Sequence, residues 1–163
     1  MATNTATVAD PQDKGAGPEL DDALTVDTQF GPMTFSKDSV ITFPNGILGF
    51  GGVSEFALAT LPDPALGNFK LMQALDDSGL GFLVLPLQAL PDHIHEDDVA
   101  SALEALSIKP DSALILLIVT VRKAVDATKL TVNLRAPVVI DAEAQRAFQY
   151  VLSNTAYPIQ QEL

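Results

Sequence analysis

The sequence predicts a mostly β fold: a small antiparallel β-barrel-like domain with one packed helix and a short second helical turn. Apolar and polar residues alternate along most of the chain, which is the two-residue period of half-buried strands. Glycine, proline, asparagine or aspartate separates most of the strand candidates, a pattern typical of barrels and sandwiches built from many short strands. Only one segment has the clear spacing of an amphipathic helix.

The 163 residues suit one domain of ordinary size, because a chain of this length can bury a sizeable core. We divide the chain into a flexible acidic tail, residues 1–22, and a β-barrel domain, residues 23–163. The tail carries five acidic residues against Lys14, two prolines, two glycines and almost no large apolar groups.

Nine segments have strand character. In chain order the candidates are Leu24–Phe30, Thr34–Phe43, Glu55–Leu61, Phe69–Leu75, Leu80–Leu85, Ala113–Val121, Lys129–Arg135, Val138–Asp141 and Phe148–Ser153. We expect a turn at Gly31-Pro32 between the first two. Because the segment from Ala113 to Val121 is apolar on both faces, we expect it to be a central, fully buried strand.

The predicted helix covers Glu96–Ser107. Val99, Leu103 and Leu106 recur there at helical spacing, and three acidic residues occupy the first turn, where the helix dipole favours negative charge. A second, shorter helical turn is expected over residues 142–147, with Asp141 as its N-cap.

Charge and hydropathy limit the classes of partner. Twenty-one acidic and nine basic side chains give a net charge of −12, which argues against direct binding of nucleic acid, since that affinity comes largely from Lys and Arg. A basic protein partner is compatible with this charge. The first twenty residues lack the apolar core of a secretory signal, and the longest apolar run has nine residues, too few to cross a membrane as a helix. We therefore expect a cytoplasmic protein.

No residue pattern assembles an active site. His93 and His95 share a spacing that suits zinc, but a third ligand is missing, so we interpret them as a solvated loop and predict no metal or cofactor. The glycines of NGILGFGG fit no phosphate-binding motif. We expect Gly46 to need a positive φ and Gly49 to allow a close backbone approach. Without a matched nucleophile and base, we predict that the protein is not an enzyme.

Polar residues interrupt two apolar strand candidates. These residues are Gln73, Asn133 and Arg135. Buried amides are nearly always hydrogen-bonded, so we favour the interpretation that Gln73 and Asn133 tie strands or turns together. The alternative is that these residues line a protein-binding edge.

The same segments resemble the FliW family of flagellar assembly factors. The matching pieces follow the family's order and are ITFPNGILGF at 41–50, Phe56, FKLMQALDD at 69–77, FLV at 82–84, LTVNLRAPVVI at 130–140, QYVL at 149–152 and YPI at 157–159. The resemblance covers about residues 24–163.

The resemblance implies a compact β-barrel-like fold and no catalysis. It also implies two protein partners, flagellin and the RNA-binding translational repressor CsrA. Flagellin would hold the protein until the flagellin is exported, and the released protein would then capture CsrA and relieve repression of the flagellin message. Because polar and aromatic residues interrupt the strand patterns within the matching pieces, we expect the partner-binding residues to be Phe43, Asn45, Phe50, Gln73, Asn133, Arg135 and Tyr157.

An alternative from another class also fits the strand pattern. The apolar strands alone would allow a small barrel that binds an apolar small molecule in its interior.

Overall fold

A computed structural model describes residues 23–163, so the predicted tail, residues 1–22, lies outside the described residues. These described residues form eleven strands and one α-helix. They are β1 Ala23–Thr28, β2 Gly31–Ser36, β3 Val40–Thr42, β4 Glu55–Thr60, β5 Lys70–Ala74, β6 Gly81–Pro86, α1 Glu96–Leu106, β7 Ala113–Lys123, β8 Thr128–Val132, β9 Val138–Asp141, β10 Arg146–Gln149 and β11 Gln161–Glu162.

Seven of these strands form a closed barrel in the order β3-β4-β5-β6-β7-β9-β10. All pairs are antiparallel except the short contact between β10 and β3. Closure depends on the length of β7, whose eleven residues pair with three strands. Its first part pairs with β9, its middle with β6 and its last part with β8, and β11 extends the sheet beyond β8. The predicted fold class is confirmed.

The barrel interior is filled by apolar side chains that come from all seven strands. The buried members of this first core are Ile41, Phe43, Ile47, Phe56, Met72, Ala74, Val84, Leu116, Val138, Ile140 and Ala147. Alternation along each strand sends these residues inward and their neighbours outward. Because side chains fill the interior of a barrel of this size, it is a packed core. The alternative of an apolar ligand in the interior is therefore not supported.

A second core covers the outer face of β6, β7 and β8. Leu85, Leu117 and Val132 point outward there and pack with α1 and with the chain after β10. The helix buries Ala102 and Leu103, as its predicted apolar face requires. It ends where Ser107 adopts a left-handed conformation with φ of 56°, one residue before the end of the predicted segment.

Strands β1 and β2 form a separate two-stranded sheet. The expected turn at Gly31-Pro32 is wrong by two positions, because those residues pair with Thr28 and Asp27 as part of β2. The turn lies at residues 29–30. Thr28 closes it, since its hydroxyl donates to the Gly31 carbonyl at 2.7 Å and accepts from the Phe30 N–H at 3.0 Å.

Two other predicted elements differ from the structure. The segment Thr34–Phe43 is broken by a 3-10 turn, Lys37–Ser39, which the Ser36 hydroxyl caps. After Asp141 the chain forms a four-residue turn over 142–145 instead of a helical turn running to residue 147. The Asp141 carboxylate does accept two backbone N–H groups there, but the positive φ of Gln145 turns the chain back into β10.

Strand boundaries also differ from the predicted ones. The strand predicted over Lys129–Arg135 stops at Val132, and the one predicted over Phe148–Ser153 is found at Arg146–Gln149. The expectation for Ala113–Val121 holds for its central position, but the strand continues to Lys123 and its last four residues are exposed.

Candidate functional site

The turn after β8 is built around the side chain of Asn133. Its Oδ1 accepts hydrogen bonds from the backbone N–H groups of Arg135 and Ala136, each at 3.0 Å. This is the local side-chain-to-backbone pattern that makes asparagine a turn residue. The side chain of Asn133 is thus engaged in holding the turn, as the structural interpretation predicted.

Arg135 connects this turn to the C-terminal segment. Its Nε donates to the Tyr157 carbonyl at 3.0 Å, and its Nη2 donates to the Thr155 carbonyl at 2.6 Å. The Arg135 carbonyl in turn accepts from the Leu152 N–H at 2.8 Å. Because a guanidinium presents its donors in a fixed fork, these bonds set the path of the segment.

Tyr157 ties the same segment to the start of α1. The side chain is buried, and its hydroxyl accepts from the His95 N–H at 3.0 Å while donating to the Asp98 carboxylate. Burial raises the pKa of the Tyr157 phenol, and the bond to Asp98 raises it further, while the His95 N–H acts in the opposite direction. The hydroxyl thus supplies a partner for a backbone donor at the helix N-terminus.

The loop between β3 and β4 begins in the core and then runs over the surface. Phe43 is fully buried and meets Phe56 edge to face, with ring centroids 5.1 Å apart. Asn45 is exposed. Phe50 is 42% exposed and packs edge to face on Phe82 at 5.4 Å. Leu48, at 60% exposure, extends furthest into solvent.

Two glycines in this loop have positive φ for different reasons. Gly46 has φ of +68°, and a Cβ there would lie 2.7 Å from Cα of Gly51. Gly49 has φ of +89° with nothing within 4 Å of a Cβ. The turn expected at Gly46 is confirmed. The close approach expected at Gly49 is wrong, because it occurs at Gly46, while Gly49 needs only its backbone conformation.

Gln149 joins the loop to the turn. Its Oε1 accepts from the Leu48 N–H at 2.9 Å, and its Nε2 donates to the Ala136 carbonyl at 3.1 Å. Sequence reasoning assigned no role to this residue, although it begins one of the matching pieces. An amide in a strand beside aromatic residues was the available signal.

Gln73 lies apart from this network. It is buried, and its Nε2 reaches the carbonyls of Ala74, Asp77 and Leu80, each at 3.0 Å. These contacts lie within its own β5–β6 hairpin. The structure therefore directly links Asn133, Arg135 and Tyr157 of the seven expected residues. It connects the loop that carries Phe43, Asn45 and Phe50 through Gln149, and it leaves Gln73 separate.

Hydrogen bonds join these segments, and we call residues 44–52, 133–137 and 150–159 together the loop–turn surface. Its exposed large apolar side chains are Leu48, Phe50, Val151 and Ile159. Only a contiguous exposed apolar patch would mark a protein-binding surface, so these four side chains are candidates for contact residues.

The described residues give little support to a metal site or to a membrane-spanning helix. Within residues 23–163, no three His, Asp or Glu side chains lie close enough to hold a metal ion. His93 and His95 are exposed at the start of α1. No helix in the same range is long and apolar enough to span a membrane.

Comparison with known proteins gives a consistent result. The family model described as FliW protein matches residues 25–163. The chain is 33% identical to the flagellar assembly factor FliW of Syntrophus aciditrophicus over 137 residues, covering 83% of this chain and 84% of that protein. It is also 33% identical to the flagellar assembly factor FliW of Desulfitobacterium hafniense strain Y51, covering 83% and 88%.

A solved structure agrees with these relatives. The crystal structure of the flagellar assembly factor FliW superposes with a TM-score of 0.68 at 26% identity, covering 85% of this chain and 96% of that one. The family match covers nearly all of the described residues, including the barrel and the loop–turn surface. The chain belongs to the FliW family of flagellar assembly factors.

Proposed function

We propose that this chain acts in the cytoplasm as a non-catalytic binding protein of flagellar assembly. It binds flagellin as a chaperone. Once released, it binds the translational repressor CsrA and relieves repression of flagellin mRNA translation. The observation that carries this proposal is the family match over residues 25–163, with relatives that are named flagellar assembly factors.

The loop–turn surface is the proposed contact surface. Asn45, Leu48, Phe50 and Val151 are exposed there, and a few apolar anchors contribute most of the binding energy in protein interfaces. The other expected residues have a positioning role in this proposal. Asn133, Arg135 and Tyr157 use their polar groups on bonds within the chain, and Phe43 and Gln73 are buried.

The charge of the protein supports a basic partner. Residues 23–163 hold sixteen acidic and eight basic side chains, a net charge of −8. Glu96 and Asp97 are exposed beside Asp98, which bonds to Tyr157 of the loop–turn surface. An RNA-binding protein such as CsrA needs a basic surface, and an acidic protein bound beside it lowers the local affinity for RNA. This effect should weaken as salt shortens the Debye length, about 8 Å at physiological ionic strength.

Isothermal titration calorimetry of the full chain against purified flagellin and purified CsrA tests the proposal. We expect Phe50→Asp to weaken at least one of the two complexes by about tenfold or more, since it places a charge at an apolar anchor. Val125→Asp is the matched control, because Val125 is fully exposed in the turn between β7 and β8. It should leave both affinities unchanged.

Wild-type protein that binds neither partner would overturn the proposed function. If the wild type binds but Phe50→Asp and Val125→Asp behave alike, the function stands and the assignment of the surface is wrong.

A further inference from the structure

A groove on the outside of the barrel is not part of the loop–turn surface. It has a volume of about 700 Å³ and lies between the β1–β2 turn and the ends of β6, β7 and β8. Phe69, Leu83 and Leu130 in its lining pack at the edge of the second core. Phe30 and Val121 also line it, and each remains 44% exposed. The fold thus leaves apolar surface uncovered here.

One end of this groove is polar and cationic. Val121 pairs with Leu130, and two residues along the same face Lys123 pairs with Thr128. All four of these residues line the groove. Within two residues along each strand, the lining therefore changes from the apolar pair Val121 and Leu130 to the Lys123 ammonium and the Thr128 hydroxyl. Among residues 23–163, no acidic side chain contributes to the lining.

The other basic residues of this hairpin do not share the groove face. Arg122 pairs with Lys129 at the intervening register position, so both side chains point to the opposite face. Lys129 lies 3.8 Å from Glu162. Within residues 23–163, Lys123 has no ion pair of this kind. In a protein of net charge −12, this groove is thus an apolar site with a positive end.

We propose that the groove binds an amphipathic carboxylate, with its apolar chain over Leu83 and Leu130 and its carboxylate beside the Lys123 ammonium. The volume falls within the range of about 300–1,000 Å³ that is usual for small-molecule sites, and such sites are mostly apolar with a few placed polar groups. Burial of the chain supplies the affinity, and Lys123 selects the sign of the head group. This site is independent of the proposed function.

The test uses dodecanoate as the probe, titrated into the full chain below its micelle concentration. We expect saturable binding to one site, with dodecanol weaker and dodecyltrimethylammonium weaker still. Lys123→Gln should weaken dodecanoate by about two- to fivefold, the scale of an exposed ion pair, and leave dodecanol unchanged. Val121→Asp should weaken dodecanoate by about tenfold or more, because it adds a carboxylate to the apolar wall.

Two matched variants on the same strand serve as controls. Arg122→Gln and Thr120→Asp make the same changes at positions that face away from the groove, and dodecanoate affinity should be unchanged in both. Thermal unfolding of all four variants checks that each one folds.

Three results would overturn the proposal. The first is the absence of saturable binding to the wild type. The second is an equal loss in Lys123→Gln and Arg122→Gln, which would show an effect of overall charge. The third is equal affinity for dodecanoate and dodecyltrimethylammonium, which would show that the groove does not select the sign of the head group.

Discussion

The turn that Asn133 closes provides the sharpest test of which motif residues are structural. In Asn133→Ala, two backbone N–H groups lose the acceptor that holds each at 3.0 Å. A buried donor without a partner costs about 1–3 kcal/mol. Because the site is half-buried, water replaces part of the loss, and we expect the free energy of unfolding to fall by about 1–3 kcal/mol in total.

This loss of stability should lower the midpoint temperature of thermal unfolding. For a chain of this length each kcal/mol shifts Tm by about 2–4 °C, so Asn133→Ala should melt about 2–12 °C below the wild type when followed by circular dichroism. Asn133→Asp is the matched control, because its carboxylate keeps an acceptor at the same place and should remain within about 1 kcal/mol of the wild type at pH 7.

The same two variants separate stability from binding. At a temperature where both are folded, each should bind flagellin with close to wild-type affinity. An unchanged Tm in Asn133→Ala together with lost flagellin binding would refute the reasoning and make Asn133 a contact residue.

Two further substitutions test other parts of the framework. Tyr157→Phe removes the hydroxyl bonded to Asp98 and should lower stability by about 1–3 kcal/mol at pH 7. Since the pKa of Tyr157 is raised in the folded protein, its contribution is present below about pH 10 and is lost as the pH rises through the folded pKa. Urea unfolding across this range should show a steeper loss in the wild type than in Tyr157→Phe, and equal slopes would contradict the assignment. Gly46→Ala should destabilise by about 2 kcal/mol or more, because its Cβ meets Cα of Gly51, and Gly49→Ala by only about 1 kcal/mol. The reverse order of urea midpoints would show that the close approach at Gly46 is not what limits the loop.

Local patterns account for what the sequence alone could predict of the fold. Each strand of the barrel overlaps a predicted strand segment, found by alternation in most cases and by a run of apolar residues for β7. The helix was found because its apolar spacing and acidic first turn agree. The strand pairings that close the barrel could not be predicted from local patterns. It needs β7 to pair with β6, β8 and β9 at once, which is a property of the whole chain.

The wrong predictions lie where a local sequence pattern is compatible with more than one structure. An Asp141 cap fits a helix start and a hairpin turn equally well, and only the pairing of β9 with β10 decides between them. Gly31-Pro32 has turn composition, yet Gly31 uses its positive φ as the first residue of β2.

The candidate site shows the same division. Asn133 was expected to hold structure because its turn bonds are local, and the structure agrees. No role was predicted for Gln149, because its hydrogen-bond partner Leu48 lies 101 residues away in the chain. The amide between Phe148 and Tyr150 could mark the residue as unusual, but the sequence does not indicate which distant residue it contacts.

Competition between the two proposed partners tests the central claim most directly. The full chain would be titrated with CsrA by calorimetry, first alone and then after saturation with flagellin. The account predicts tight binding of CsrA to the free protein and no measurable binding once flagellin is bound. Undiminished CsrA binding in the presence of saturating flagellin would contradict the partner exchange.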